Sequence, residues 1–78
     1  MKRSDYDNVF KEVFMLDSVN TDMTMEDVEE WDSVGHMMLI TALEDGFDIM
    51  LDADDIVALN SYEKGIEILE KYGIELED

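Results

Sequence analysis

Apolar residues recur every three or four positions along most of this chain, which is the spacing of one face of an α-helix. The first group predicts a helix over about residues 5–16, with Ser4 and Asp5 as capping residues. Its inward stripe is Tyr6, Val9, Phe10, Val13 and Phe14. Residues 17–31 are only weakly periodic and predict a long loop, in which Thr24 could start a single helical turn.

A second group of apolar positions predicts the longest helix, which begins at Asp32 or Ser33. Gly46 lies where the end of this helix is expected, since glycine is common at helix ends. The predicted inward residues are Val34, Met37, Ile40, Leu43 and Phe47, and Met38, Leu39 and Ala42 widen that face.

Two further helices are predicted after residue 50. A short one begins near Asp52 and buries Ile56 and Leu59. Residues 60–63, NSYE, form a capping-box pattern that opens the last helix, and Gly73 ends it. The inward face of this last helix carries Tyr62, Gly65, Ile66, Leu69 and Tyr72, and the glycine permits close approach of a neighbouring helix. No strand alternation is visible, so we predict an all-α fold: one domain over residues 1–78, a four-helix bundle with three main helices, a short third helix and a long loop between helices one and two.

The composition narrows the classes of function. The chain has 22 acidic and 5 basic residues, a net charge of −17, and no cysteine. The charge argues against binding of nucleic acids and anionic membranes, and it favours steered encounters with basic protein surfaces. The absence of cysteine excludes disulfides, thiolate catalysis and zinc–thiolate sites. No export signal or apolar run of membrane-spanning length is visible, so we expect a cytoplasmic protein without membrane insertion.

The candidate chemistry lies in residues 30–37, EWDSVGHM, where Ser33 stands three positions before the only histidine, His36. Such a serine could be a nucleophile, a helix cap or a site that another enzyme modifies. A nucleophile elbow needs glycine two positions before the serine and two after it, and Trp31 occupies the first of these positions. We therefore do not expect a hydrolase, and we expect His36 to face solvent or a partner.

A calcium site is also not expected. Asp52, Asp54 and Glu63 have the spacing of positions one, three and twelve of an EF-hand loop. However, Ile56 and Val57 stand where an oxygen ligand and a glycine are needed. The clustered carboxylates are expected to bind divalent cations only loosely.

The choice between a helix cap and a modified serine stays open on these grounds. A phosphate ester on Ser33 would meet free backbone amides and the positive end of the helix dipole. Asp32 adds a negative charge that is unfavourable for such an ester, unless an enzyme supplies a metal or a basic group beside it.

Residues 32–51, DSVGHMMLITALEDGFDIML, resemble the core of the acyl carrier protein family. The resemblance rests on Asp-Ser-Val at 32–34, Ala-Leu-Glu-Asp at 42–45 and Phe-Asp-Ile at 47–49. The downstream Asn-Ser-Tyr at 60–62, the spacing of Ile66 and Leu69, and the first helix with its long loop extend it over nearly the whole chain. The resemblance implies a four-helix bundle of the acyl-carrier type.

The resemblance also implies a carrier that catalyses nothing itself. Ser33 matches the serine that receives 4′-phosphopantetheine from coenzyme A, through a separate magnesium-dependent phosphopantetheinyl transferase that Asp32 would assist. The thiol of the arm then holds acyl or aminoacyl groups as thioesters. Enzymes with basic surfaces load and unload the arm, and the residues that would meet them are Val34, His36, Met38, Glu44, Asp45, Asp48, Asp54 and Asp55. An acyl chain could lie between the helices, lined by Leu43, Ile49, Ile56 and Ile66.

This chain departs from the pattern of many fatty-acid carriers. Gly35, His36 and Met38 stand where those carriers have acidic residues, and Trp31 replaces a small residue. These features look more like stand-alone carriers of polyketide, aminoacyl or surface-polysaccharide pathways, although fatty-acid synthesis stays open. We expect a monomer in either case.

Two alternatives come from other classes of protein. One is an unmodified acidic helical module that binds a basic protein, in which Ser33→Ala would leave function intact. The other is a divalent-ion-binding protein, in which Glu63 would be a required ligand.

Overall fold

The computed structural model describes residues 2–77 and shows four α-helices and no strand within that range. The helices are α1 at Arg3–Phe14, α2 at Ser33–Phe47, α3 at Ala53–Ala58 and α4 at Tyr62–Lys71. The all-α class and the short third helix are therefore confirmed. None of the helices in residues 2–77 has the length and apolar character needed to cross a membrane.

α1 begins two residues earlier than the sequence predicts. Lys2 precedes the helix, and its backbone amide donates to Oδ2 of Asp5 at 3.3 Å. The amide of Arg3, which has no partner inside the helix, donates to the carbonyl of Glu77 at 2.7 Å. Because the C-terminal segment supplies this acceptor, the helix starts before Ser4 rather than after it.

The long loop pairs with the segment that precedes α4. The amide of Met25 donates to the carbonyl of Asn60 at 2.8 Å, and the amide of Tyr62 donates to that of Met23 at 3.1 Å. Ser61 is in extended backbone and is the residue before α4, so the capping box predicted to start at Asn60 does not form. Ser61 caps α4 instead, with its hydroxyl oxygen accepting from the amide of Lys64 at 3.0 Å.

The predicted helical turn at Thr24 is an isolated hydrogen-bonded turn rather than a helix. The amide of Asp27 donates to the carbonyl of Thr24 at 3.0 Å, and the carboxylate of Asp27 accepts from the amide of Thr24 at 3.0 Å. A side chain that satisfies its own turn in this way competes with helix formation. The predicted end of α4 is confirmed, because Gly73 adopts a left-handed φ of 84° and the amide of Ile74 donates back to Leu69.

The core is built from three aromatic side chains of α1 and the apolar faces of α2 and α4. Phe10 of α1 lies at its centre, with ring centroids 5.0 Å from Tyr6 and 5.6 Å from Trp31. The loop contributes Met23, Val28 and Trp31 to this core. The other buried apolar side chains are Tyr6, Phe14, Leu39, Ile40, Leu43, Phe47, Leu51, Leu59, Tyr62, Ile68 and Leu69.

The predicted inward face of α2 is wrong in its first half. Val34 is 71% exposed and Met37 is 51% exposed, whereas Gly35 and Leu39 point inward. The helix is rotated because its first turn packs through Gly35 against the loop. Leu59, the residue that follows α3, is buried as predicted, but Ile56 of α3 is only partly buried.

Gly65 of α4 packs directly against Tyr6 of α1. The Tyr6 hydroxyl donates to the carbonyl of Tyr62 at 2.6 Å, and burial raises the pKa of Tyr6, so this donor stays protonated. A Cβ atom on Gly65 would lie 2.0 Å from that hydroxyl oxygen and 3.0 Å from Leu59. The glycine predicted to permit close packing of helices does so here.

Gly65→Ala should destabilise the fold by about 1–3 kcal/mol, because the added methyl group overpacks against the anchored Tyr6 hydroxyl. Gly46→Ala is the matched control. A Cβ atom on Gly46 has no neighbour within 4 Å, so helix propensity should stabilise this variant by up to about 1 kcal/mol. Urea unfolding of the two variants measures both effects, and equal midpoints would contradict the packing described here.

Candidate functional site

At the start of α2, the structure assigns different roles to Asp32 and Ser33, the two residues that the sequence predicts as possible caps. Asp32 is the residue before the helix, and its Oδ1 accepts a hydrogen bond from the amide of Gly35 at 2.8 Å. Ser33 is the first helical residue and is exposed. Its hydroxyl makes no hydrogen bond within residues 2–77. Asp32 therefore caps the helix, and Ser33 has no part in holding it together.

Gly35 lets the loop pass directly beneath the first turn of α2. A Cβ atom on this residue would lie 2.0 Å from the carbonyl oxygen of Glu30 and 3.2 Å from the ring of Phe14. Any other side chain would push the loop away from the helix. The sequence contained one sign of this contact, because a glycine in a first helical turn costs helix propensity and needs a packing reason.

Trp31 anchors the end of the loop. Its side chain is 2% exposed, and its ring is stacked on Phe14 with centroids 5.3 Å apart. Its indole N–H donates to Nδ1 of His36 at 2.9 Å. The residue two positions before Ser33 is thus fixed to both α1 and α2.

His36 joins the loop to α3 rather than facing solvent, which corrects the prediction for this residue. Since an indole N–H can only donate, Nδ1 of His36 is the acceptor and Nε2 carries the proton. Nε2 donates to the carbonyl of Ile56 at 2.7 Å. Both ring nitrogens are occupied, so His36 is available neither as a base for Ser33 nor as a polar contact for a partner.

An open apolar groove lies between α1 and α2 and includes Ser33. Its volume is about 800 Å³. The large apolar side chains exposed in this groove are Val34, Met37 and Met38, at 71%, 51% and 52% exposure. The residues that line this α1–α2 groove are Glu12, Val13, Ser33, Val34, Met37, Met38, Thr41, Ala42 and Asp45.

The residues predicted to meet partners divide into an exposed set and an internal set. Val34, Met38 and Asp45 line the α1–α2 groove, and Asp48 and Asp54 are exposed elsewhere. The internal set is His36, Glu44 and Asp55. Glu44 is half-buried, and its Oε2 accepts from the amide of Leu51 at 2.9 Å, so it braces the segment after α2.

Asp55 is the clearest correction, because the sequence placed it among the exposed carboxylates and it is 5% exposed. It accepts from Nζ of Lys71 at 2.7 Å and from the hydroxyl of Tyr72 at 2.6 Å. The hydrogen bond from Lys71 lowers the pKa of Asp55 most, and the hydrogen bond from Tyr72 lowers it further. The hydrogen bond between Lys71 and Asp55 also raises the pKa of Lys71. Asp55 therefore ties α3 to the end of α4, and a partner cannot use it.

The four residues predicted to line an acyl chain pack in or against the core. Leu43 is fully buried, and Ile49, Ile56 and Ile66 are partly buried against the core. None of these four residues lines the α1–α2 groove. Within residues 2–77, no three His, Asp or Glu side chains come together as a possible metal site.

Three comparisons set this chain against known proteins. The chain matches no protein-family model, no curated protein and no solved structure. The observations that bear on function are therefore those of the chain itself: an exposed serine whose hydroxyl makes no hydrogen bond within residues 2–77, a packed junction of Trp31 and His36 beside it, and an apolar groove that it lines.

The ion pair of Asp55 predicts a stability difference that depends on pH. Because the pKa of Asp55 is lowered on folding, its bonds stabilise the fold above the ordinary aspartate pKa of about 3.9, and this contribution is lost as the pH falls further. Asp55→Asn should lower the urea midpoint at pH 7, and the gap to the unaltered protein should narrow below about pH 4. The exposed neighbour Asp54 supplies the control, since Asp54→Asn removes a charge without a partner. A gap of the same size at both pH values would contradict the assignment.

Because Asp32 caps α2 and the Ser33 side chain does not, we predict that alanine at position 32 lowers the unfolding free energy far more than alanine at position 33. Asp32→Ala should cost about 0.5–2 kcal/mol of unfolding free energy, because the Gly35 amide loses its capping acceptor. Ser33→Ala should change the unfolding free energy by less than about 0.5 kcal/mol, because the hydroxyl has no partner to lose. Urea unfolding at neutral pH compares the two variants. If Ser33→Ala proved as costly as Asp32→Ala, Ser33 would be a structural cap.

Proposed function

We propose that this chain is a stand-alone acyl carrier protein in which Ser33 holds a 4′-phosphopantetheine arm. The observation that carries the proposal is that Ser33 is exposed at the first position of α2 while its hydroxyl makes no hydrogen bond within residues 2–77. Asp32 already caps the helix, so modification of Ser33 would break no contact. The resemblance of residues 32–51 to the carrier family points to the same serine.

The surroundings of Ser33 fit a phosphate ester. The amides of Ser33 and Val34 belong to the first turn of α2, have no acceptor inside the helix and can donate to ester oxygens. In the transfer, Oγ of Ser33 bonds to the phosphorus that bears pantetheine, and adenosine 3′,5′-bisphosphate leaves from that phosphorus. The hydroxyl proton passes to a base of the transferase, since both nitrogens of His36 are occupied.

Asp32 has a second oxygen for the transfer step. Its Oδ1 is committed to the Gly35 amide, whereas Oδ2 makes no hydrogen bond within residues 2–77. Because Asp32 is exposed, Oδ2 can share a magnesium ion that the transferase brings. Once attached, the arm supplies a terminal thiol that carries acyl or aminoacyl groups as thioesters.

The exposed surface of the chain suits brief encounters with basic partner enzymes. Val34 and Met38 offer apolar contacts, and Asp45, Asp48 and Asp54 offer charge. Electrostatic complementarity of this kind raises association rates more than final affinity, which matches a carrier that must be released. In this proposal the chain is a monomer of the cytoplasm that serves a specialised biosynthetic pathway or fatty-acid synthesis.

A second candidate is an unmodified acidic helical module that binds a basic protein. The observation that favours it is the exposed apolar surface of Val34, Met37 and Met38 with Glu12 and Asp45 beside it. Exposed apolar patches bordered by polar residues commonly mark protein-binding sites. This surface exists without any modification of Ser33.

Incubation with coenzyme A, magnesium and a broad-specificity phosphopantetheinyl transferase should add one phosphopantetheine to the protein. Intact mass measures the gain, and peptide mapping places it on Ser33. Ser33→Ala should gain nothing, whereas Ser18→Ala, at another exposed serine, should be modified as the unaltered chain is. No gain in a sample whose helices are intact by circular dichroism would leave the acidic module as the function.

A further inference from the structure

We infer that Trp31 and His36 are positioning residues for the transfer of the arm, because the hydrogen bond between their side chains holds Ser33 in the geometry that the reaction needs. This inference rests on the proposed function and extends it from Ser33 to two residues that are not themselves modified. Both residues act through the backbone of the turn between them, and neither supplies an atom to the new bond.

The two side chains enclose the turn that carries Ser33. Trp31 lies two positions before the serine and His36 three positions after it, and the indole N–H donates to Nδ1 of the imidazole at 2.9 Å. The two rings are also stacked, with an angle of 17° between their planes. The bond closes residues 31–36 into a loop, which reduces the backbone conformations open to every residue inside it.

Both ends of this bond are tied to other helices. Trp31 is 2% exposed, and its ring is stacked on Phe14 of α1 with centroids 5.3 Å apart. Nε2 of His36 donates to the carbonyl of Ile56 in α3 at 2.7 Å. The bond therefore places the turn relative to α1 and α3, and not only relative to the helix that bears the serine.

Packing alone does not require this pair. A buried indole N–H needs an acceptor, and His36 supplies it. A phenylalanine could pack against Phe14 without that need, as Phe10 does. What Trp31 adds to an apolar anchor is a directed bond to the residue on the other side of Ser33.

Transfer of the arm depends on where two oxygens stand. In the proposed reaction, Oγ of Ser33 attacks phosphorus in line with the departing bisphosphate, and Oδ2 of Asp32 shares the magnesium ion of the transferase. Both residues lie between Trp31 and His36 in the chain. A misplacement of about 1 Å can cost about a hundredfold in rate. The bond between Trp31 and His36 should therefore raise the rate of the transfer step rather than the affinity for the transferase.

Variants at position 36 separate the two hydrogen bonds of the imidazole. In His36→Asn, the amide oxygen stands near the position of Nδ1 and can accept from the indole, but the side chain is too short to reach Ile56. In His36→Gln, the amide nitrogen stands near the position of Nε2 and can donate to the Ile56 carbonyl, but the indole loses its acceptor. Trp31→Phe removes the same bond from its other end.

Single-turnover transfer to the full chain, with a broad-specificity transferase and coenzyme A in excess, measures the maximal rate and the half-saturating transferase concentration. We expect His36→Gln and Trp31→Phe to lower the maximal rate by about tenfold or more at an unchanged half-saturating concentration. His36→Asn should keep a rate near that of the unaltered chain. The double variant of Trp31→Phe and His36→Gln should be as slow as either single variant, because both remove one bond.

Tyr6→Phe is the control for lost stability. It removes a buried hydroxyl that donates to the carbonyl of Tyr62, between α1 and α4. A partly unfolded carrier binds the transferase less readily but reacts at the same maximal rate once bound. This variant can therefore raise the half-saturating concentration, but it should leave the maximal rate unchanged.

The outcomes distinguish this inference from the proposed function. Equal maximal rates for the Asn and Gln variants, or an equal loss in Tyr6→Phe, would overturn the positioning role and leave the carrier function standing. Failure of both His36→Gln and Trp31→Phe to fold, judged by circular dichroism, would overturn it too, because the bond would then hold the whole fold. So would the absence of 15N coupling between the indole and the imidazole of the unaltered chain. An unaltered, folded protein that accepts no arm overturns both proposals.

Discussion

At the end of the long loop, the indole of Trp31 stacks on Phe14 of α1 and donates its N–H to His36 of α2. Nε2 of His36 in turn donates a hydrogen bond to the carbonyl of Ile56 in α3. One indole and one imidazole thus join the loop and three helices. Ordering a loop costs conformational entropy, and these contacts offset that cost at the residues before Ser33. Ser33 is exposed, but Trp31, two residues before it, is packed against α1 and α2.

Some of the acidic side chains accept hydrogen bonds that stabilise the fold, and others only face solvent. Asp32 and Glu44 each accept a bond from a backbone amide, and Asp55 holds Lys71 and Tyr72. These groups stabilise the fold despite a net charge of −17, which opposes compaction. Asp55 is buried and its charge is balanced by Lys71, so it contributes little to the acidic surface that a basic partner can contact.

The order of the helices and most of their ends could be predicted from the sequence, because they depend on local spacing and on residues such as Asp32 and Gly73. The orientation of α2 could not. Val34 and Met37 fit an inward stripe as well as Leu39 does, and the close contact of Gly35 with the loop places the side of Leu39 inward. That contact joins the loop to α2, and the spacing of apolar residues along one helix does not show how these two elements pack together.

The same limit applies to the candidate site. Ser33 and its capping neighbour were identified from residue type and position. The roles of His36 and Asp55 were not, because their partners lie 20 and 16 residues away in the chain. A charged or polar side chain is expected to be exposed when its partner is not known, so the sequence predicts that both His36 and Asp55 lie on the surface.

The close contact between Trp31 and His36 has an optical consequence. The chain contains one tryptophan, so the emission excited selectively from tryptophan, at wavelengths that tyrosine does not absorb, arises at a single place: the buried junction two residues before Ser33. The emission of the unlabelled protein therefore reports on whether the loop is seated against α2. Events at the exposed serine and rearrangements beneath it can be followed separately, the first by mass and the second by light.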